Sequence, residues 1–197
     1  HLDYATTVER CGPYVDGFVI NVSSPNTPNL RELQKDEDLA RIIEAVQIHS
    51  GDKPVLVKIA PDLEDIQIKS IVDTARGLGC AGIVATNTTI SRPDESPLMS
   101  ETGGLSGKPL KSRSTEVIRL IADHTDGRWP IIGVGGISNA EDAWEKITNG
   151  ACLVQIYSSM VFNGASVVKE IVNGLDRKLK SKGLANLEQA IGLARGD

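Results

Sequence analysis

The sequence predicts an α/β fold of parallel strands, and within that class a (β/α)8 TIM barrel of which these 197 residues supply five of the eight units. Three observations lead there. Short runs rich in valine and isoleucine alternate with helical patterns along the whole chain. Polar residues collect at the carboxyl end of every run. The first strand-to-helix turn, SSPNTPNLRELQ, lacks the GxGxxG fingerprint of nucleotide-binding open sheets. Five units fall short of the roughly 250 residues a closed barrel takes, so three units are expected ahead of His1. A five-stranded open doubly wound sheet is the alternative.

Taken in order, a polar helical pattern over Tyr4 to Cys11 precedes the first strand, FVINV, Phe18 to Val22. A helix over Asp36 to His49 leads to VLVKIA, Val55 to Ala60, and a helix over Leu63 to Leu78 leads to GIVATN, Gly82 to Asn87. An excursion of about twenty residues then contains ETGGLSGKPL, Glu101 to Leu110, before the helix Ser114 to His124. IIGVGG, Ile131 to Gly136, the helix Ala140 to Thr148, LVQIY, Leu153 to Tyr157, and the helix Ser166 to Lys182 complete the pattern. The strands are continuously apolar, as strands buried on both faces are, and each crossover helix makes its two strands parallel. No linker, repeat or low-complexity segment divides residues 1–197, which read as part of a single domain.

In such a fold all strand carboxyl ends open on one face, where ligands bind. That face collects Asn21 and Ser24, Lys58, Thr86 to Thr89, Gly135 and Gly136, and Tyr157 and Ser158. Gly135-Gly136 permits close backbone approach, and Ser138 with Glu141 has the spacing of a capping box, so free N–H groups of the following helix are expected to hold a phosphate. A glycine turn required by packing alone is the competing explanation. Lys58 lies inside an apolar strand, where an unpaired ammonium is costly, so it is expected to point into the site toward an anion; a lysine snorkelling from an edge strand is the alternative. The glycine-rich ETGGLSGKPL segment is expected to be a flap over the ligand rather than an idle surface loop. Asn21, Asn26, Asn87, Ser24, Thr27 and Thr88 offer neutral amides and hydroxyls suited to a small planar ligand rich in carbonyl and N–H groups. Each alone is an ordinary turn former or cap; their convergence on one face makes the case.

Composition excludes several classes. The net charge of −5 with interspersed signs leaves no basic surface for nucleic acid or an anionic membrane. Cys11, Cys80 and Cys152 are odd in number and far apart, which fits reduced thiols, and neither they nor His1, His49 and His124 have metal-ligand spacing, so no metal is expected. No apolar run approaches twenty residues.

Read together, NVSSPNTPNLRELQ, VLVKIAPDL, ATNTTISRP, SETGGLSGKPL, IIGVGGIS and ACLVQIYSS resemble one family over essentially the whole chain: the dihydroorotate dehydrogenases, in their class 2, quinone-linked form. The resemblance implies a (β/α)8 barrel that binds FMN and oxidises dihydroorotate to orotate in pyrimidine synthesis, with this chain as about strands 4 to 8. It implies Ser24 as the catalytic base, Asn21 touching flavin and substrate, and Asn26, Asn87 and Thr88 at the substrate. It places Lys58 and Thr86 at the flavin ring, Gly107 at FMN, and Gly136, Tyr157 and Ser158 beside the phosphate. Where the family often ends its last strand Leu-Tyr-Thr, this chain has Ile156-Tyr157-Ser158 and keeps the hydroxyl. The family's first strands and the helices of its quinone tunnel have no counterpart here. A serine rather than a cysteine at the base position implies ubiquinone as the acceptor, reached through an N-terminal region not in this chain, which would also carry any membrane association. The form of SETGGLSGKPL implies the mitochondrial inner membrane in preference to a bacterial one. A non-catalytic barrel, or one acting on a different substrate while keeping the phosphate or FMN site, is the rival reading.

Overall fold

A computed structural model describes residues 1–27, 29–93 and 100–196. Five strands, β1 (Phe18–Asn21), β2 (Val55–Ile59), β3 (Gly82–Ala85), β4 (Ile131–Val134) and β5 (Leu153–Gln155), form one sheet in the order of the sequence. Every neighbouring pair is parallel. A doubly wound sheet reverses its strand order part-way; this one steps in a single direction, as an arc of a barrel does. The strands end earlier than the apolar runs suggest: Val22, Thr86, Gly135 and Ile156 already lie in the loops that follow, although the Thr86 N–H still donates to the Val134 carbonyl at 2.9 Å.

Seven helices accompany the sheet among the described residues: α1 (Leu2–Cys11), α2 (Asp36–Ser50), α3 (Asp65–Gly77), α4 (Lys111–His124), α5 (Ala140–Thr148), α6 (Ser158–Asn163) and α7 (Ser166–Ser181). The sequence pattern anticipates all but α6, whose six residues are too few to display a helical period. α3 starts on a reciprocal cap: the Glu64 carboxylate accepts from the Gln67 N–H, and the Gln67 side chain accepts from the Glu64 N–H. The expected Ser138–Glu141 box is not formed. Asn139 caps α5 instead, its side chain accepting from the Asp142 N–H at 2.9 Å, while Glu141 is drawn away to Lys178 at 2.6 Å.

Alternation along the strands separates two faces. Ile20, Val57, Ile59, Ile83, Ala85 and Ile131 are buried against Ile42, Ile43, Ile68, Ile71, Ile118 and Ile121 of α2, α3 and α4, and form the main core. The register aligns Val19 with Leu56, and Asn21 with Lys58, Val84 and Ile132 in turn, on the opposite, inner face. At the two edges this inner face is open: Val19 is 46% and Leu153 59% exposed.

Candidate active site

The carboxyl ends of β2 to β5 open into a cleft of about 1020 Å³. Asn26, Lys58, Thr86, Asn87, Thr88, Gly107, Gly136, Tyr157 and Ser158 all line it, so nine of the eleven residues to which the family resemblance gives a role meet there. Asn21 and Ser24 do not line it; they lie one loop away, where β1 ends.

That loop is bound to the cleft through amides. Asn87 Nδ2 donates to Asn21 Oδ1 at 3.2 Å and to Ser23 Oγ at 3.0 Å, and Ser23 Oγ donates to Asn21 Oδ1 at 3.0 Å. Asn87 Oδ1 accepts from the Thr88 N–H at 2.8 Å. Both hydrogens of the Asn87 amide are thereby engaged within the cluster. Ser24 Oγ accepts from the Asn26 N–H at 3.3 Å, a local turn that leaves the serine O–H as a donor. Asn26 Oδ1 accepts from the Gly104 N–H at 3.2 Å.

That last bond tethers the excursion expected to be a flap. Its two ends pair as an antiparallel bridge, Thr89 with Leu105, and residues 94–99 between them lie outside the described residues. Gly104 cannot carry a side chain: a Cβ there would fall 1.9 Å from Thr88 Oγ1. The segment's backbone is packed directly on the cleft wall.

Lys58 has no hydrogen bond or ion pair with any described residue. It is half-buried on the inner face of β2, and burial pushes its ammonium below the ordinary lysine range. β2 is flanked by β1 and β3, so the edge-strand explanation does not hold. A half-buried cation without a partner on a cleft wall calls for an anionic or strongly polar ligand beside it.

The far end of the cleft is built from glycines and hydroxyls. Gly107, Gly135 and Gly136 have φ of +80, +126 and +70. At Gly136 packing also matters, since a Cβ would stand 2.5 Å from Lys111 Cβ. The packing explanation is therefore present along with whatever binding role the turn has. Tyr157, expected at the end of a strand, instead precedes α6 and is 78% exposed, because β5 has β4 as its sole neighbour and its ladder stops at Gln155. Ser158 Oγ lies 2.7 Å from Ser106 Oγ. The Ser159 hydroxyl is buried on the cleft wall and has no hydrogen-bond partner among the described residues. An orphaned buried hydroxyl beside positive-φ glycines fits an oxygen-rich ligand group such as a phosphate.

Behind the glycines lies a residue that motif reading passes over. Lys146, on α5, is fully buried, and its Nζ donates to the Lys111 carbonyl at 2.7 Å, to Thr115 Oγ1 at 2.6 Å and to Ser114 Oγ. Burial pulls its pKa down to about 8. Ser114 Oγ in turn donates to the Gly135 carbonyl at 3.1 Å, so the buried ammonium braces the glycine turn. Nearby, Lys111 bridges Asp142 at 2.6 Å and Glu145 at 2.8 Å; the paired carboxylates hold the Lys111 ammonium above its ordinary range.

Comparison with known proteins decides the family. A family model described as "Dihydroorotate dehydrogenase" matches residues 2–179. The chain belongs to the dihydroorotate dehydrogenase family. A relative named "Dihydroorotate dehydrogenase (quinone)" from Trichodesmium erythraeum (strain IMS101) is 48% identical over 204 residues, spanning 98% of this chain and 53% of its own. One of the same name from Halobacterium salinarum (strain ATCC 29341 / DSM 671 / R1) is 48% identical over 192 residues, spanning 96% of this chain and 54% of its own. Among solved structures, DHODH from Eimeria tenella in complex with ferulenol superposes with a TM-score of 0.91 at 37% identity, over 98% of this chain and 57% of that one. The ligand-free form from the same organism gives 0.92 at 38%. The arc of five parallel strands is thus part of the barrel of this family. The chain spans about half the length of the curated relatives it matches. Those relatives are bacterial and archaeal, so they lend the mitochondrial expectation no support. Among the described residues no helix is long and apolar enough to cross a membrane, and no cluster of three metal-ligating side chains occurs.

Proposed function

We propose that the full-length protein oxidises dihydroorotate to orotate in pyrimidine synthesis, holding FMN in the 1020 Å³ cleft and passing electrons on to a quinone. The observation that carries this is Lys58, a half-buried cation on the inner wall with no partner among the described residues. It suits the edge of a flavin ring, with Thr86 on the same cleft and Asn21 in register with it on β1, while Gly107, Gly136, Tyr157, Ser158 and the orphaned Ser159 hydroxyl suit the phosphate. When bound, FMN supplies the two-electron acceptor for the hydride that leaves C6 of the substrate.

The chain's own residues do the rest. Asn26, Asn87 and Thr88 orient the substrate; Asn87 must yield one of its internal hydrogen bonds to do so. Ser24 takes the C5 proton, relayed onward through Thr27 or a water because a free serine alkoxide is far too basic at neutral pH. The Lys58 ammonium stabilises negative charge that develops on the ring side of the cleft. Replacing Ser24 with Ala should slow flavin reduction by dihydroorotate by about two orders of magnitude, the scale of a lost general base. Orotate binding should persist. A Ser24→Ala protein that reduces flavin at the wild-type rate in stopped flow removes Ser24 from the role.

The acceptor is proposed from the name shared by the relatives, and residues outside this chain would reach it, together with any membrane contact; a mitochondrial membrane rests on the SETGGLSGKPL resemblance alone. Full-length protein should turn over with a ubiquinone analogue and scarcely with fumarate or NAD, and faster turnover with fumarate would overturn the quinone assignment.

A further inference from the structure

We propose that Arg31 is the positioning residue of the substrate side of this site, setting the Ser24 loop and Thr88 at a fixed separation through one guanidinium. The proposal rests on the reading of Ser24 and Thr88 given above. Arg31 Nε donates to the Ser23 carbonyl at 3.1 Å, one NH2 group donates to the Thr88 carbonyl at 2.9 Å, and the other bridges Asp62 at 2.8 Å. Three loops, those after β1, β2 and β3, therefore meet on a single planar cation. One carbonyl belongs to Ser23, the residue before Ser24, and the other to Thr88, itself a substrate residue on that reading.

Each part of this clasp is held. Arg31 rides on a short 3-10 turn, Leu30–Gln34, which cannot swing freely, because Gln34 Oε1 accepts from the Ala60 N–H at 3.1 Å and Gln34 Nε2 donates to the Arg31 carbonyl at 3.2 Å. Asp62 accepts further from Thr89 Oγ1 and from the Ile90 N–H at 3.1 Å, so the carboxylate that anchors the guanidinium also fixes the start of the excursion. The Arg31 and Asp62 side chains are 21% and 18% exposed, enough enclosure for the pair to be more than a solvated surface bridge. The guanidinium spreads these bonds over three nitrogens of a rigid planar fork; a lysine ammonium, whose three N–H groups share one nitrogen, cannot hold the same acceptors at these separations.

The test uses the full-length, FMN-loaded protein. Arg31→Lys should keep its bound FMN and its melting temperature. It should lose about 10- to 100-fold in the rate of flavin reduction by dihydroorotate, the scale of a misplacement near 1 Å. Orotate should also bind more weakly, read from the shift it causes in the flavin spectrum. Asp62→Asn, which leaves both carbonyl bonds in place, should show the same pattern at smaller size. An Arg31→Lys protein matching wild type in reduction rate and orotate affinity overturns the proposal, as does one whose losses track lost FMN or lost stability. If Arg31→Lys does not fold, Asp62→Asn decides by the same two readouts. Ser24→Ala measured alongside separates the two claims: if it reduces flavin normally, the base assignment fails, whereas the orotate affinity of Arg31→Lys still judges the clasp.

Discussion

The two faces of the sheet are both apolar, yet they end up in different surroundings. On the outer face, Val57, Ile59 and Ile83 are fully buried beneath the helices. On the inner face, Val19, Leu56, Ile132 and Leu153 are just as apolar, but Val19 and Leu153 stand 46% and 59% exposed at the two edges. Strands that are continuously apolar belong in sheets covered on both sides. The helices finish one layer of this fold, and the other layer is half built by these residues. The site straddles the difference, since Lys58 projects from the unfinished layer and the glycine turn is braced by Lys146 from the finished one.

The largest effect expected from this asymmetry concerns FMN itself. Residues 1–197 expressed alone should fail to retain FMN after gel filtration, while the full-length protein emerges yellow. β1 and β5 each have one strand neighbour here, and their free edges and open inner face leave the ring side of the cleft without a wall. A cooperative, FMN-loaded monomer made of these residues alone would break the comparison and restore the open-sheet reading.

A pair of substitutions in the full-length protein sharpens it further. Ile118→Ala, in the outer core, should cost about 2–5 kcal/mol in denaturant unfolding, through lost transfer energy and the cavity left behind. Leu153→Ala should fall in the same range of about 2–5 kcal/mol if the rest of a barrel encloses it. If the Leu153 cost stays under about 0.5 kcal/mol, typical of a surface position, the inner face is not covered and the half-built layer is an ordinary exposed surface.

Much of this was legible in the sequence, and the failures share a cause. Strand and helix order followed from the alternation of apolar runs, and α5 was placed residue for residue at Ala140–Thr148, because these signals are local. Lys58 could be aimed into the site because an unpaired ammonium inside an apolar strand is costly, and in the structure it lies on the opposite face from Val57 and Ile59. The cap of α5 went to Asn139 rather than Ser138 because Lys178, thirty-seven positions beyond Glu141, competes for the carboxylate. Arg31 looked like part of a polar turn, since its partners are two backbone carbonyls and a carboxylate brought in by other loops. For Lys146 a signal existed: it shares a helix face with Ala143 and Ile147, so a cation occupied a core position by spacing alone. What spacing could not give were its three acceptors on α4.

The smallest expected effect is a pH dependence that belongs to this braced side of the site. Lys146 carries a folded-state pKa of about 8 against the 10.5 of an exposed lysine, with burial as the main cause, partly opposed by Glu145 and Asp142 on its own helix and reinforced by Lys111 across on α4. Between those values the unfolded chain binds more protons than the folded one, so stability rises with pH. Below pH 8 both states are protonated and the burial penalty is present in full; above 10.5 both are neutral and it has gone. Cys80, whose buried thiol is pushed up to about 11, acts in the opposite sense over part of this range, as the unfolded thiol ionises first. Comparing wild type with Lys146→Met cancels Cys80, since both proteins carry it. The difference in unfolding free energy should move in favour of wild type by about 1 kcal/mol between pH 7 and pH 9. A difference that stays flat across that interval means the Lys146 ammonium is held as firmly as it would be in water, its three acceptors fully offsetting the burial.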